Sequence, residues 1–325
     1  MMNKSTRNFR TWTICALLAV AVFPATAQTK YPEKAVKIVV PFAPGGSSDS
    51  ATRILAEQLG AMWKQPVIVE NKPGATATIG AAQVANSAAD GYTILLAPVS
   101  IATVKLFVKN PGFDPVKDLV PVTQIARGDY VLSVHKDLPV NTMGELAAYA
   151  HKNPGKVFDA TFGGSSMLAF QQFAEVMNFE RQNVLYRGEA LAISALIGGE
   201  VQAAFSTLTA AKPFIDSGRI KAIGIPSKTR SPIAPNIKTS DESGAKGFYA
   251  DFWFGLMVPK GTPEDVRKKI EIDVAEALAR KDVKDRLYAI GLTAKSSTAD
   301  EFGKLIQYEA TRWVDTAKRS GLEPQ

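Results

Sequence analysis

Along the chain, short runs of β-branched apolar residues alternate with longer stretches in which apolar side chains return every three or four positions. The first signal, at residues 36–42, 67–70 and 92–97, predicts buried strands. The second, at 49–60 and 76–88, predicts the helices between them, and a right-handed parallel βαβαβ unit follows. A second series follows with strands at 158–161, 184–186, 201–205 and 220–225 and helices at 167–177, 189–198 and 211–217, which predicts a second α/β sheet with its own core.

Between the two series lie 120–125 and 130–135, interrupted by Ala126-Arg127-Gly128-Asp129, and later an aromatic run over 248–258. These predict two extended segments that join the lobes and act as a hinge. Residues 28–127 with 252–325 then form one lobe, and 128–251 the other. The tail predicts three helices: Thr262-Pro263 offers a cap and a first-turn proline, Gly291 a stop, and Thr298 with Glu301 a capping box ahead of a pattern ending at Gly321. Thr142 and Glu145 repeat the box in mid-chain.

Composition adds a compartment. The 325 residues are 46% apolar and 21% charged, as in a globular protein. Lys4, Arg7 and Arg10 precede an apolar run over 12–23 and the small-residue site Pro24-Ala25-Thr26-Ala27, so residues 1–27 are expected to be a cleaved export signal, too short in its apolar part to span a membrane. The single cysteine, Cys15, lies inside that leader. The mature chain is then expected to have no disulfide, thiol catalyst or thiolate metal site. The leader carries three basic side chains and no acidic one, so the mature chain keeps 35 basic against 31 acidic residues, a net charge of +4. Those bases are interspersed with acids on predicted helices, the pattern of a solvated face and not of a nucleic-acid surface.

The chemistry concentrates in turns. Phe42-Ala43-Pro44-Gly45-Gly46-Ser47-Ser48-Asp49 joins a strand to a helix. It lacks the Lys-Ser/Thr of a P-loop, and its glycines are not spaced for a dinucleotide fingerprint. It leaves a helix N-terminus with free amides and two hydroxyls at the carboxyl end of a parallel strand, a place suited to a carboxylate. The alternative is that Ser48 or Asp49 only caps the helix. Phe162-Gly163-Gly164-Ser165-Ser166 repeats the arrangement in the second series, and two such tips facing each other across a cleft would hold an anion from both sides. Pro98-Val99-Ser100, Arg187-Gly188 and Ser206-Thr207 end other strands on the same rim. Arg187 is the only cation among them, and Glu189 is near enough to pair with it instead of leaving it for a ligand.

Tyr31-Pro32, Val39-Val40-Pro41-Phe42-x-Pro44-Gly45-Gly46-x-x-Asp49, Val69-Glu70-Asn71-Lys72-Pro73-Gly74-Ala75, Asp90-Gly91-Tyr92-Thr93, Tyr186-Arg187-Gly188 and Pro259-x-Gly261-Thr262-Pro263 together resemble the Bug-type (TctC-like) extracytoplasmic solute receptors of tripartite tricarboxylate transporters, over essentially the whole mature chain. The resemblance implies an α/β, two-lobed, type II periplasmic-binding-protein-like fold, each lobe a mostly parallel sheet flanked by helices. It also implies a periplasmic monomer that closes on a small carboxylate without cofactor or metal and delivers it to integral-membrane transporter subunits. It carries ligand contacts onto Phe42, Ala43, Gly45, Gly46, Ser47, Ser48, Asp49, Pro98, Ser100, Phe162, Gly163, Gly164, Ser165, Ser166, Arg187, Ser206 and Thr207. Met167 stands where the family commonly has histidine, and with Phe162 and Pro98 it implies a more apolar pocket, suited to an aromatic or longer carboxylate.

An enzyme would need a catalytic base, and the two histidines, His135 and His151, fall in no catalytic motif. Asp159, Glu70 and Asp251 could lie near a cleft but suit caps or surface positions, and nothing places a histidine by Ser47, Ser48, Ser165 or Ser166. The segment 248–254 is expected to be core, with cleft lining as the alternative; Trp63 and Trp313 are expected in the core. The remaining alternatives are a receptor that reports to a sensor kinase and an exported hydrolase of small esters or amides.

Overall fold

The first strand, β1 (Val36–Val40), has four of its five residues buried, the mark of a strand covered on both faces. It runs parallel to β2 (Val67–Asn71) on one side and β3 (Thr93–Pro98) on the other. The crossovers are α1 (Ser47–Trp63) and α2 (Thr78–Ala85). Along α1, Ala51, Leu55, Leu59 and Trp63 recur at helical spacing and face the sheet, and Lys64 ends the helix in the left-handed region. After β3 a short turn over Val99–Thr103 leads into the single turn α3 (Val104–Phe107). The structure, a computed structural model, describes residues 30–319; the leader read at 1–27 and the stop at Gly321 lie outside them.

The long strand β4 (Leu119–His135) corrects one expectation, because Ala126–Asp129 does not interrupt it. Backbone partners on both sides keep that stretch extended: β9 (Asp251–Pro259) pairs Trp253 with Arg127 and Phe252 with Gly128, and the unforeseen β10 (Leu292–Ala294) pairs Leu292 with Gly128. A Cβ on Gly128 would lie 2.4 Å from Phe252 Cζ and 2.7 Å from Leu292 Cδ2, so glycine here leaves the space that these two side chains fill over the strand.

Past the crossing, β4 enters the second half. After α4 (Met143–Lys152) come β5 (Phe158–Thr161), α5 (Gly164–Val176), β6 (Gln182–Leu185), α6 (Glu189–Gly198), β7 (Ala203–Thr207), α7 (Leu208–Asp216) and β8 (Ile220–Gly224). Here β5 is the middle strand of a second parallel trio, between β6 and β7, while β7 and β8 pair antiparallel with β4. Each half thus has a parallel trio whose central strand leads into a glycine turn, and both halves become antiparallel where β4 joins them.

The chain closes with α8 (Glu264–Ala279), α9 (Lys281–Ala289) and α10 (Ala299–Arg319). Thr298 and Glu301 form the reciprocal capping box ahead of α10, with Thr298 N–H to Glu301 Oε2 at 2.8 Å and Glu301 N–H to Thr298 Oγ1 at 3.2 Å. Thr142 accepts from Glu145 N–H as expected, but the Glu145 carboxylate turns to the amide of Asn141. Thr262 does not cap α8: its hydroxyl donates to Pro259 O, and Pro263 takes the cap position. Trp313 and Ala317 of α10 pack on Leu168 of α5.

The second trio is held in register by a buried ion pair. Asp159 of β5 is fully buried and receives both Arg181 Nη2 at 2.5 Å and Arg181 Nε at 2.6 Å, with Asn183 Nδ2 of β6 at 3.1 Å. Removing the guanidinium would leave a charge without compensation inside the sheet. Arg181→Ala is therefore expected to lose about 3–5 kcal/mol of stability, measured by urea unfolding; a loss below 1 kcal/mol would show that Asp159 does not depend on its partner.

Candidate functional site

Helices α1 and α5 begin at Ser47 and Gly164, two to three residues before the positions 49 and 167 expected from periodicity, so the serines of both turns lie within the first helical turn. In the first turn Gly45 has φ +90°, a left-handed conformation that favours glycine, and its amide donates to Asp49 Oδ2 at 3.1 Å. Arg53 Nε donates to the same oxygen at 3.0 Å and Asn71 Nδ2 to Oδ1 at 3.0 Å, while Asn71 also reaches Phe42 O. Burial pushes the Asp49 carboxyl up, but the hydrogen bonds from Arg53, Gly45 and Asn71 outweigh it and hold it below its ordinary value. Asp49 therefore shapes the turn from behind.

In the second turn Ser166 does the equivalent work, accepting from Phe162 N–H and donating to Gly163 O, both at 3.0 Å. Gly164 lies under Phe107, whose ring would stand 2.6 Å from a Cβ there. Ser165 points the other way and accepts from Tyr130 Oη at 3.0 Å. Of the two serines at the second tip, Ser165 is the one that reaches the gap.

Both turns border one cavity of about 30 Å³. Phe42, Ala43, Pro44, Gly46, Ser47 and Ser48 line it from the first turn; Phe162 and Ser165 from the second; Pro98 and Val99 from the end of β3; and Tyr130, Phe252 and Phe254 from the crossing strands. Glu189 and Ala190 of α6 and Thr207 at the end of β7 complete it. Nine of the residues expected from sequence thus come together: Phe42, Ala43, Gly46, Ser47, Ser48, Pro98, Phe162, Ser165 and Thr207. Gly45, Asp49, Gly163, Gly164 and Ser166 lie in the turns behind that wall, and Ser100 and Ser206 are buried beside it with hydroxyl oxygens that have no hydrogen-bond partner.

Arg187 faces a neighbouring cavity of about 250 Å³, which shares Phe42 and Phe162 and is closed by Gly74–Ala77. There Ala75, Thr76 and Ala77 hold φ of 43°, 56° and 76°, three successive non-glycine residues in the left-handed region, which is also why α2 starts later than position 76. Such strain costs roughly 1–2 kcal/mol per residue and gathers where surrounding structure over-determines the backbone.

Glu189 was the least legible member. It is 7% exposed, and Oε1 accepts Thr207 N–H at 2.6 Å, with further hydrogen bonds from the amide and hydroxyl of Ser47. Its carboxylate therefore turns to Ser47 and Thr207, not to Arg187. Ser47 opens α1 and Thr207 caps α7, so the carboxylate sits at two helix N-termini at once. Burial, only partly offset by these donors, pushes its carboxyl up to about 7. The aromatic run is divided by strand alternation: Phe252 and Phe254 face the cavity, whereas Trp253 on the opposite face packs edge-on against Phe302 in the core. The histidines are elsewhere, His151 Nε2 at 2.7 Å from Asn178 O and His135 beside Asp137. Trp63 is buried on Asp273.

Two α/β lobes joined by crossing strands, with glycine turns of both facing one cavity, define a periplasmic-binding-protein-like receptor fold. The model of the tripartite tricarboxylate transporter family receptor matches residues 51–322, and the chain belongs to that family. It is 34% identical to protein BugT of Bordetella pertussis over 304 residues, covering 92% of this chain and 93% of that one. The solved periplasmic binding protein BugD superposes with a TM-score of 0.85 at 33% identity, covering 91% of this chain and all of that one. R. palustris Rpa4515, solved with adipate, gives a TM-score of 0.88 at 30% identity, again over 91% of this chain and all of that one.

The raised carboxyl of Glu189 couples stability to pH. From the ordinary glutamate value near 4.5 up to about 7 the folded state holds a proton that the unfolded state has lost, so this contribution is full below 4.5 and disappears as pH rises through 7. Glu189→Gln is accordingly expected to gain thermal stability relative to the unmodified protein as pH is raised from 4.5 to 8, followed by calorimetry; a difference that is flat with pH would place the proton elsewhere.

Proposed function

We propose that this chain is a periplasmic solute receptor, exported by its N-terminal leader, that takes a small carboxylate-bearing solute between its lobes and delivers it to the membrane subunits of a tripartite tricarboxylate-type transporter. The observation that carries this reading is the convergence of helix N-termini from both halves, at Ser47, Ser165 and Thr207, on one aromatic-walled cavity. Family membership and the adipate bound by Rpa4515 support it. The lobes are residues 28–127 with 252–325, and 128–251, with α10 reaching over both through its packing on α5. The ligand contacts are the cavity-lining residues, backed by the turns that hold Gly45, Asp49, Gly163, Gly164 and Ser166. Ser100, Ser206 and Arg187 come into reach as the gap widens.

A cavity of about 30 Å³ has room for roughly two waters, so a solute of several carbons enters only when the walls part. The crossing of β4 and β9 at Arg127–Asp129 and Asp251–Trp253 is where such an opening would turn. Binding without turnover is the better reading, because the hydroxyls in the gap face donors, aromatic rings and a single carboxylate, with the histidines engaged elsewhere.

At a hundredfold excess over Kd a carboxylate adds about 2.7 kcal/mol to folding, so a thermal-shift panel at that excess is expected to find stabilising carboxylates that emerge chemically unchanged. Gly46→Val is the matched control: φ −86° at this position suits any residue, while the added side chain points at Glu189 Oε2, 3.4 Å from the Cβ position. The variant is expected to stay folded and lose the shift. An unchanged shift in the variant would remove the first turn from the site, and conversion of the ligand would favour a hydrolase.

A further inference from the structure

Among the described residues that line the closed cavity there is no Lys, Arg or His, and one group, Glu189, carries a formal charge. Its carboxylate has the donors that a bound carboxylate would need, the amide and hydroxyl of Ser47 and the amide of Thr207. The rest of the wall is apolar or aromatic, with Phe42, Phe162, Phe252, Phe254, Pro44 and Pro98. A second unscreened negative charge in so dry a place would be held by dipoles alone against a like charge a few ångströms away.

Resting on the carboxylate-receptor reading, we propose that Glu189 is the specificity-determining residue of the site: the cleft holds one negative charge, and a ligand's carboxylate takes the Ser47 and Thr207 donors from Glu189 while Glu189 takes up one proton from solvent. The selected ligands are monocarboxylates with an apolar or aromatic body. Dicarboxylates and tricarboxylates are disfavoured, because beyond the Ser47 and Thr207 donors the wall is aromatic and prolyl and would leave a second carboxylate desolvated without donors. The one bond formed is the O–H of Glu189, its proton coming from the buffer acid or hydronium in solvent and leaving the conjugate base there; the carboxylic acid so formed can donate to the ligand.

The groups around Glu189 leave it free to play this part. On α1, Asp49 is turned to Gly45, Arg53 and Asn71. On β4, Tyr130 donates to Ser165, and burial pushes its phenol well above the ordinary range, so it stays neutral. On β9, Asp251 lies 3.8 Å from Arg127 at the outer end of the crossing, and β7 and α7 present Thr207, which does not titrate. Within its own segment, Arg187 is exposed and faces the neighbouring cavity. The Glu189 carboxyl, pushed up to about 7 by burial, is poised to gain the proton at modest cost.

The test is isothermal titration of the full mature protein with hexanoate and with adipate, which share a six-carbon chain and differ in one carboxylate, between pH 6 and 8.5 in two buffers of different ionisation heat. Hexanoate is expected to bind with uptake of close to one proton at pH 8, to weaken about tenfold per pH unit above 7, and to exceed adipate by tenfold or more. Glu189→Gln is expected to bind hexanoate with no pH slope and no proton uptake. Hexanoate binding without proton uptake in the unmodified protein overturns the proposal while leaving the carboxylate reading intact, and so does adipate binding as tightly as hexanoate or a pH slope that persists in Glu189→Gln. The proton count in the unmodified protein decides the matter even if the variant does not fold. Failure of the folded protein to bind either acid over the whole range overturns the carboxylate reading itself, and the proposal with it.

Discussion

The arrangement depends on main-chain amides at helix starts that are left without partners inside their own helices and must find an acceptor across the gap. In this closed form the acceptor is a side chain of the protein. Glu189, from the first turn of α6, ties Ser47 of α1 to Thr207 at the mouth of α7, so one carboxylate links the two halves of the molecule. The contact is electrostatically demanding, a charge held by dipoles with no counter-ion among the lining residues, and burial shifts its protonation accordingly. A receptor needs such exchangeable contacts, since a gap closed by interlocking apolar side chains would not yield to a small solute.

Behind the gap the contacts are dense. Asp49 and Ser166 fix the two turns from their buried sides, the Asp159–Arg181 pair holds the second trio in register, and Phe170, Phe173 and Phe205 meet edge to face, with the Phe170 and Phe205 centroids 5.3 Å apart and Phe248 tilted against Phe205. The halves are joined by β4 passing unbroken from one to the other with β9 beside it.

Much of this was legible in the sequence because it rests on local rules. The β-branched runs gave the parallel trios, the repeated Gly-Gly-Ser-Ser turns gave the two tips, and Thr298 with Glu301 marked the start of α10. The rest depended on partners distant in sequence. Ala126–Asp129 looked like a break because nothing nearby reveals that β9 and β10 pair with it. Glu189 looked like the partner of its neighbour Arg187 because its real donors lie 18 residues ahead and, for Ser47, in the other lobe. Phe252 and Phe254 divided from Trp253 by simple alternation, a signal present in the sequence but ambiguous until the two faces of β9 had neighbours. Motifs marked the turns that meet at the cavity; long-range packing decided which charged group stands among them.

The most direct measurement of the central claim is the amide chemical shift of the ¹⁵N-labelled protein as a stabilising carboxylate is added. If the ligand is held by helix-start amides, the resonances of Gly46, Ser47 and Thr207 move most and saturate with the binding isotherm. Saturable binding that leaves those three amides unmoved and shifts others would contradict the account.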